Sequence, residues 1–122
     1  MSNKELKNML KKKIYDFVVI VIKFTSSLDW KDPLNRVVQD QLVRSATSIA
    51  ANYVEGCASI SPRDFAKFLN YSLRSANETI FWLQLLADVN DGCPAIFIEK
   101  AIEIEKIIRA SVWSMKKKFS NS

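Results

Sequence analysis

Helix-breaking residues are scarce in this chain, and their placement governs what it can fold into. The 122 residues hold two glycines, Gly56 and Gly92, and three prolines, Pro33, Pro62 and Pro94. Glycine suits the position just past a helix end, where it takes the left-handed conformation without steric cost. Proline suits the first helical turn, where its missing N–H has no partner to lose. Gly56 ahead of Pro62 therefore reads as a stop followed by a start, and Gly92 ahead of Pro94 repeats the signal. Pro33 follows Asp32, a good N-cap, and Ser61-Pro62-Arg63-Asp64 resembles a capping box. All the breakers fall at three boundaries. The four segments between them predict an all-α chain, an antiparallel up-down four-helix bundle in one domain over residues 1–122. The helices are expected over Lys4–Ser27, Pro33–Glu55, Pro62–Asn90 and Pro94–Phe119, with short connections that make neighbours antiparallel.

Apolar spacing supports this division. The second segment carries Leu42, Ala46, Ile49, Ala50, Tyr53 and Val54 at helical intervals, and the third carries Phe65, Phe68, Leu69, Leu73, Ala76, Ile80, Leu83 and Ala87. Polar strips run beside them: Ser45, Ser48, Asn52 and Glu55 on one helix, Ser72, Ser75 and Thr79 on the next. Small polar strips allow close helix approach, but Ser and Asn are mostly exposed, so these residues are expected to face solvent or bond locally. Inward positions of the fourth helix are read as Ile98, Ile102, Ile108, Val112, Met115 and Phe119.

The first segment contains the run Phe17-Val18-Val19-Ile20-Val21-Ile22. Its β-branched residues favour a strand, but apolar helical spacing already begins at Leu6 and no other segment offers a strand partner. A helix apolar all round must be buried all round. Phe17, Val19 and Ile22, with Phe81, Trp82 and Leu85 of the third segment, are therefore read as a subunit interface.

The run Gln41-Leu42-Val43-Arg44, then Ser48-Ile49-Ala50-Ala51-Asn52-Tyr53-Val54-Glu55-Gly56, then Phe68-Leu69, Ser75 and Glu78 resembles the signature of the 23S rRNA intervening-sequence proteins. These are also called the four-helix-bundle protein family. The motif residues Arg44, Ser48, Asn52, Glu55, Gly56, Ser75 and Glu78 are given structural roles on that basis. The resemblance implies a bacterial four-helix bundle, often a homopentamer, with no established activity in this branch. It extends to the accessory proteins of diversity-generating retroelements, which bind nucleic acid and a reverse transcriptase. Two positions depart from the pattern: Arg74 stands where the family often has glycine, and Ser59 where it often has arginine. Both bear on any ligand site the family shares.

Composition narrows the function. At 48% hydrophobic and 25% charged residues the chain is globular. Its net charge of +5 permits an acidic partner without requiring one. Asp16 and Lys23 interrupt the one long apolar run, so neither a secretory signal nor a membrane span is expected, and a cytoplasmic location is. Cys57 and Cys93 fall at opposite ends of a helix about 40 Å long, too far apart for a disulfide. Asp40 and Arg44 are spaced as a local ion pair, and Arg44 is also placed near the level of Glu78.

The topology gathers Lys11, Lys12, Lys13, Arg63, Lys67, Arg109, Lys116, Lys117 and Lys118 at one end, joined by Lys4 and Lys7. Asp29, Asp32, Asp88, Asp91 and Glu99 mark the other end. In a ring of subunits the basic ends add up, and such a surface holds RNA or DNA without reading sequence. Solubility and helix-dipole complementation explain terminal lysines equally. A protein-interaction scaffold that uses the apolar faces and the acidic end is the alternative. An enzyme is not expected. There is no histidine, which removes the commonest general base and the usual bundle metal site, and no phosphate-binding glycine loop. No cofactor or metal is expected.

Overall fold

The computed structural model describes residues 2–90 and 92–120. Four helices follow in order: α1 (Asn3–Ser26), α2 (Pro33–Ala58), α3 (Pro62–Asn90) and α4 (Ala95–Ser120), with no strand among the described residues. The β-branched run at 17–22 is helical. Three helix starts are capped by side chains that accept orphan N–H groups. Ser2 accepts from Glu5 at 3.1 Å, Asp32 from Leu34 at 2.9 Å and Ser61 from Asp64 at 3.1 Å.

Successive helices pack as neighbours. The α2–α3 contact is the most extensive, and α1 and α4 touch least. Core residues recur at alternating intervals of three and four. Examples are Leu10, Ile14, Phe17 and Val21 on α1, and Leu69, Ser72, Ala76, Thr79, Leu83 and Leu86 on α3. That spacing is the seam of a left-handed bundle. On α4 the deepest residues are Ala101, Ile104, Ile108 and Val112, while Ile98 and Ile102, expected inward, are only half-buried. Val54, placed on the apolar stripe of α2, is 44% exposed.

The α2–α3 seam overturns the solvent-facing reading of the small polar residues. Ser45, Ser72, Ser75 and Thr79 are buried. Thr79 donates to the Ser45 hydroxyl at 2.9 Å, Ser75 to the Ser48 hydroxyl at 2.8 Å, and Ser72 to the Ile49 carbonyl at 2.8 Å. These residues occupy heptad positions, and their hydroxyls bond across the two helices. Small side chains let the backbones come near, and each buried hydroxyl keeps a partner.

Gly56 does not end α2. The helix continues to Ala58, and neither glycine has a φ in the left-handed region. A Cβ on Gly56 would lie 3.1 Å from the Phe68 Cβ and 3.4 Å from the Phe65 ring, so the bare Cα admits α3. Termination falls to Ser59, extended at ψ 151°, whose N–H and hydroxyl both donate to the Gly56 carbonyl, at 3.1 and 2.6 Å.

The α1–α2 connection is held by amides. Gln39 donates to the Thr25 carbonyl at 2.6 Å, buried Asn35 to the Asp29 carbonyl at 3.1 Å, and Asn90 to Asn35 at 3.2 Å. Phe17 is 3% exposed and belongs to the core. Its heptad position turns it inward, so it has no surface to offer a partner. Val19 and Ile22 are half-buried on the outer side of the same run.

Candidate nucleic-acid interface

The first turns of α1 and α3 and the last turns of α4 meet at one end of the bundle. Helix C-termini favour cations, and the lysine run 116–118 closes α4 on that principle. Arg63, Lys67, Lys116 and Lys118 are exposed, and Lys11 is half-buried. None of these five forms an ion pair among the described residues. Aromatic faces support several of the cations instead. Lys7 Nζ sits 4.3 Å from the Phe65 centroid, Lys67 Nζ 5.2 Å from Phe68, and the Arg63 guanidinium 5.5 Å from Phe119. Glu5, Glu55 and Asp64 are the carboxylates in this region, all exposed.

Lys12, Lys13 and Arg109 do not join the end cluster. Lys13 lies ten residues into α1, about 15 Å along its axis. Each of the three faces a carboxylate: Lys12 pairs with Asp16 at 2.8 Å, Arg109 with Glu105 at 3.3 Å, and Lys13 with Glu103 across the α1–α4 gap. The Lys13 hydrogen bond and charge, with Lys100 nearby, hold the Glu103 carboxyl below its ordinary value. Of the cations assigned to this end, Arg63, Lys67, Lys116 and Lys118 at its rim form no ion pair among the described residues, and those farther along the flank are paired.

At the opposite end the carboxylates are engaged locally. Asp29 accepts from the Lys31 N–H at 3.0 Å, Asp32 caps α2, and Asp88 accepts from Gln84 at 2.9 Å. Glu99 is exposed. Asp91, assigned to this end from the sequence, lies outside the described residues.

The motif residues divide between core and surface. Ser48, Asn52, Gly56 and Ser75 build the α2–α3 seam, where the Asn52 amide donates to the Ser48 carbonyl and hydroxyl, both at 2.9 Å. Arg44, Glu55 and Glu78 are exposed. Arg44 Nε reaches both oxygens of Asp40, at 3.2 and 3.1 Å. The anticipated pair with Glu78 is not formed among the described residues, because the carboxylate one turn away on the same helix takes the guanidinium. Of the two departures from the family pattern, Ser59 caps α2 and Arg74 is exposed.

Of the apolar residues assigned to an interface, Phe81 is 55% exposed, and Trp82 and Leu85 are half-buried beside it. Phe81 and Trp82 meet edge to face at 4.9 Å. The Trp82 indole N–H is buried without an acceptor among the described residues. Both thiols are free. Burial pushes the Cys93 thiol up, and burial followed by contact with Cys57 does the same to the Tyr53 phenol. Leu6 and Met9, read only as part of the apolar stripe of α1, and Ile60, which sequence reasoning passed over, stand exposed at the basic end. The position of Ile60 between Gly56 and Pro62, in the only short gap between the two central helices, was the available signal.

These features define an antiparallel four-helix bundle with a cationic end and a serine-bonded central helix pair. Residues 6–112 match the family described as 23S rRNA-intervening sequence protein, and the chain belongs to that family. It is similar to the crystal structure of a protein of unknown function from the S23 ribosomal protein family of Bacteroides thetaiotaomicron. Identity is 28% and the TM-score 0.74, over 87% of this chain and 96% of that one. No match was found among curated proteins. No helix among the described residues is long and apolar enough to cross a membrane.

Proposed function

We propose that this chain is a non-enzymatic, sequence-nonspecific nucleic-acid-binding bundle that holds RNA or DNA through its basic end as a homo-oligomer. The carrying observation is the cap of Arg63, Lys67, Lys116 and Lys118, cations without carboxylate partners among the described residues. Such groups release counterions when they meet phosphates. A pentamer, as the family resemblance implies, multiplies the cap around one axis. The lack of histidine in the sequence supports a binding role over a catalytic one.

Fluorescence anisotropy with unrelated RNA and DNA strands at two salt concentrations tests this reading. Affinity is expected to fall steeply with salt. Replacing Lys116, Lys117 and Lys118 by Gln should lower the log–log slope for single strands by about two, at roughly 0.7 per lost phosphate contact. No binding at low salt retires the proposal and leaves the lysines as solubilising charge.

The exposed Phe81 patch favours a second reading, a scaffold for a protein partner. Recovery of one specific protein from a nuclease-treated pull-down supports it, and loss of that protein on nuclease treatment counts against it.

A further inference from the structure

The seam between α1 and α4 is closed by an aromatic stack near one end, holds a cleft of about 330 Å³ beside Lys13 and Glu103, and opens more widely at the other end. Near the acidic end Phe24 of α1 stacks on Phe97 of α4, with centroids 4.6 Å apart. Midway, Lys13 and Glu103 bridge the two helices. Beyond that, toward the basic end, the helices enclose a cleft of about 630 Å³. This lies within the range of about 300–1,000 Å³ typical of small-molecule sites. Leu6 and Leu10 form one wall, Ile107 and Met115 the other, and Tyr53 of α2 and Phe65 of α3 the floor. On α4 the lining runs from Ile107 to Lys118, eleven residues or about 16 Å along the helix. On that side the lining follows the helix axis.

Among the described residues its charged lining consists of two lysines, Lys7 and Lys118, with no carboxylate. Of the lining hydroxyls, those of Ser59 and Ser111 donate to the Gly56 and Ile107 carbonyls, Ser61 accepts the Asp64 N–H, and Tyr53 and Ser114 also line the space. Lys7 rests on the Phe65 ring, so a cation is held beside the apolar lining of Leu6 and Leu10. The arrangement suits a ligand with a long apolar body and one anionic head.

We propose that this cleft binds a small amphipathic anion: a single extended alkyl chain that lies between α1 and α4, with a terminal carboxylate between Lys7 and Lys118. The apolar chain displaces water from the leucine, isoleucine and methionine walls, and the head pairs with two cations that have no carboxylate within the cleft. The proposal shares Lys118 with the basic cap but does not rest on the nucleic-acid reading. Lys116, which belongs to the basic cap, does not line the cleft.

Isothermal titration calorimetry with dodecanoate below its micelle concentration, on the full chain, tests this. Saturable binding is expected, with dodecanol and butanoate each at least about tenfold weaker, for want of the head and of the chain respectively. Ala110→Trp, which fills the cleft from an exposed position, should abolish binding. Lys7→Gln with Lys118→Gln should weaken it about tenfold, and Lys116→Gln should leave it unchanged. Circular dichroism on each variant separates loss of the site from loss of the fold. Three results overturn the proposal: no binding, dodecanol binding as tightly as dodecanoate, or binding that survives a folded Ala110→Trp variant. The first of these, no dodecanoate binding by the unaltered chain, together with a change in oligomeric mass on Ala110→Trp, gives the cleft to a second copy of the chain.

Discussion

Gly56 and the Ser45–Thr79 pair show how single positions hold the central helices together. A methyl at Gly56 would meet the Phe68 Cβ at 3.1 Å, and that atom is tied to the α3 backbone and cannot swing away. Alanine gains up to about 1 kcal/mol of helix propensity, while overpacking costs about 1–3 kcal/mol. Gly56→Ala is therefore expected to lose about 1 kcal/mol net by urea unfolding, and a gain in stability would mean that α3 yields freely. Thr79→Val removes the hydroxyl that donates to buried Ser45 at 2.9 Å and should cost about 1–2 kcal/mol. Adding Ser45→Ala to it should cost less than the two single losses together, because no polar group is then stranded. Additive losses in that double-mutant cycle would show that the hydroxyls do not act as a pair. The glycine and the hydroxyls were visible in the sequence, but their roles were misread for a physical reason. Serine is usually outside, and only the three-four alternation of Leu69, Ser72, Ala76, Thr79, Leu83 and Leu86 reveals that here it lies on the seam.

At the scale of elements, three of the four connections between helices are firm and the α1–α4 contact is not. Its main polar link is Lys13 to Glu103. Pairing lowers the Glu103 pKa, so whatever the pair contributes is present at neutral pH and lost as pH falls through that lowered midpoint. Carbon-detected NMR titration should give Glu103 a midpoint below the ordinary glutamate value, and Lys13→Gln should raise it. A midpoint that does not move would remove the link. Helix number, order and boundaries were legible from the breakers to within three residues, because proline starts and polar caps are local signals. The Asp40–Arg44 pair was legible from its four-residue spacing and is formed, whereas nearness in level along two helices did not suffice to pair Arg44 with Glu78. Phe17 failed as an interface residue for a related reason. An unbroken apolar run hides its own inner face, and only the neighbouring helices define which side is inside.

For the whole molecule, the half-buried Val19 and Ile22 lie on α1 and the exposed Phe81 on α3, two helices that are not packing neighbours. Contact between two unlike patches is heterologous, the kind that closes into rings. In the proposed homo-oligomer, Phe81→Glu should weaken self-association at least about tenfold, read as a lower mass by light scattering, and an unchanged mass would free the patch for other partners. The cationic cap gives the bundle an electric dipole along its long axis. Subunits that stand side by side in a parallel ring bring like poles together, and their mutual repulsion opposes closure. Dissolved ions screen that repulsion, within about 8 Å at physiological strength. Added salt should then tighten a parallel ring while it loosens the ring's hold on a polyanion, whereas antiparallel neighbours would loosen in both respects. The sign of one salt dependence thus reports which way the subunits point.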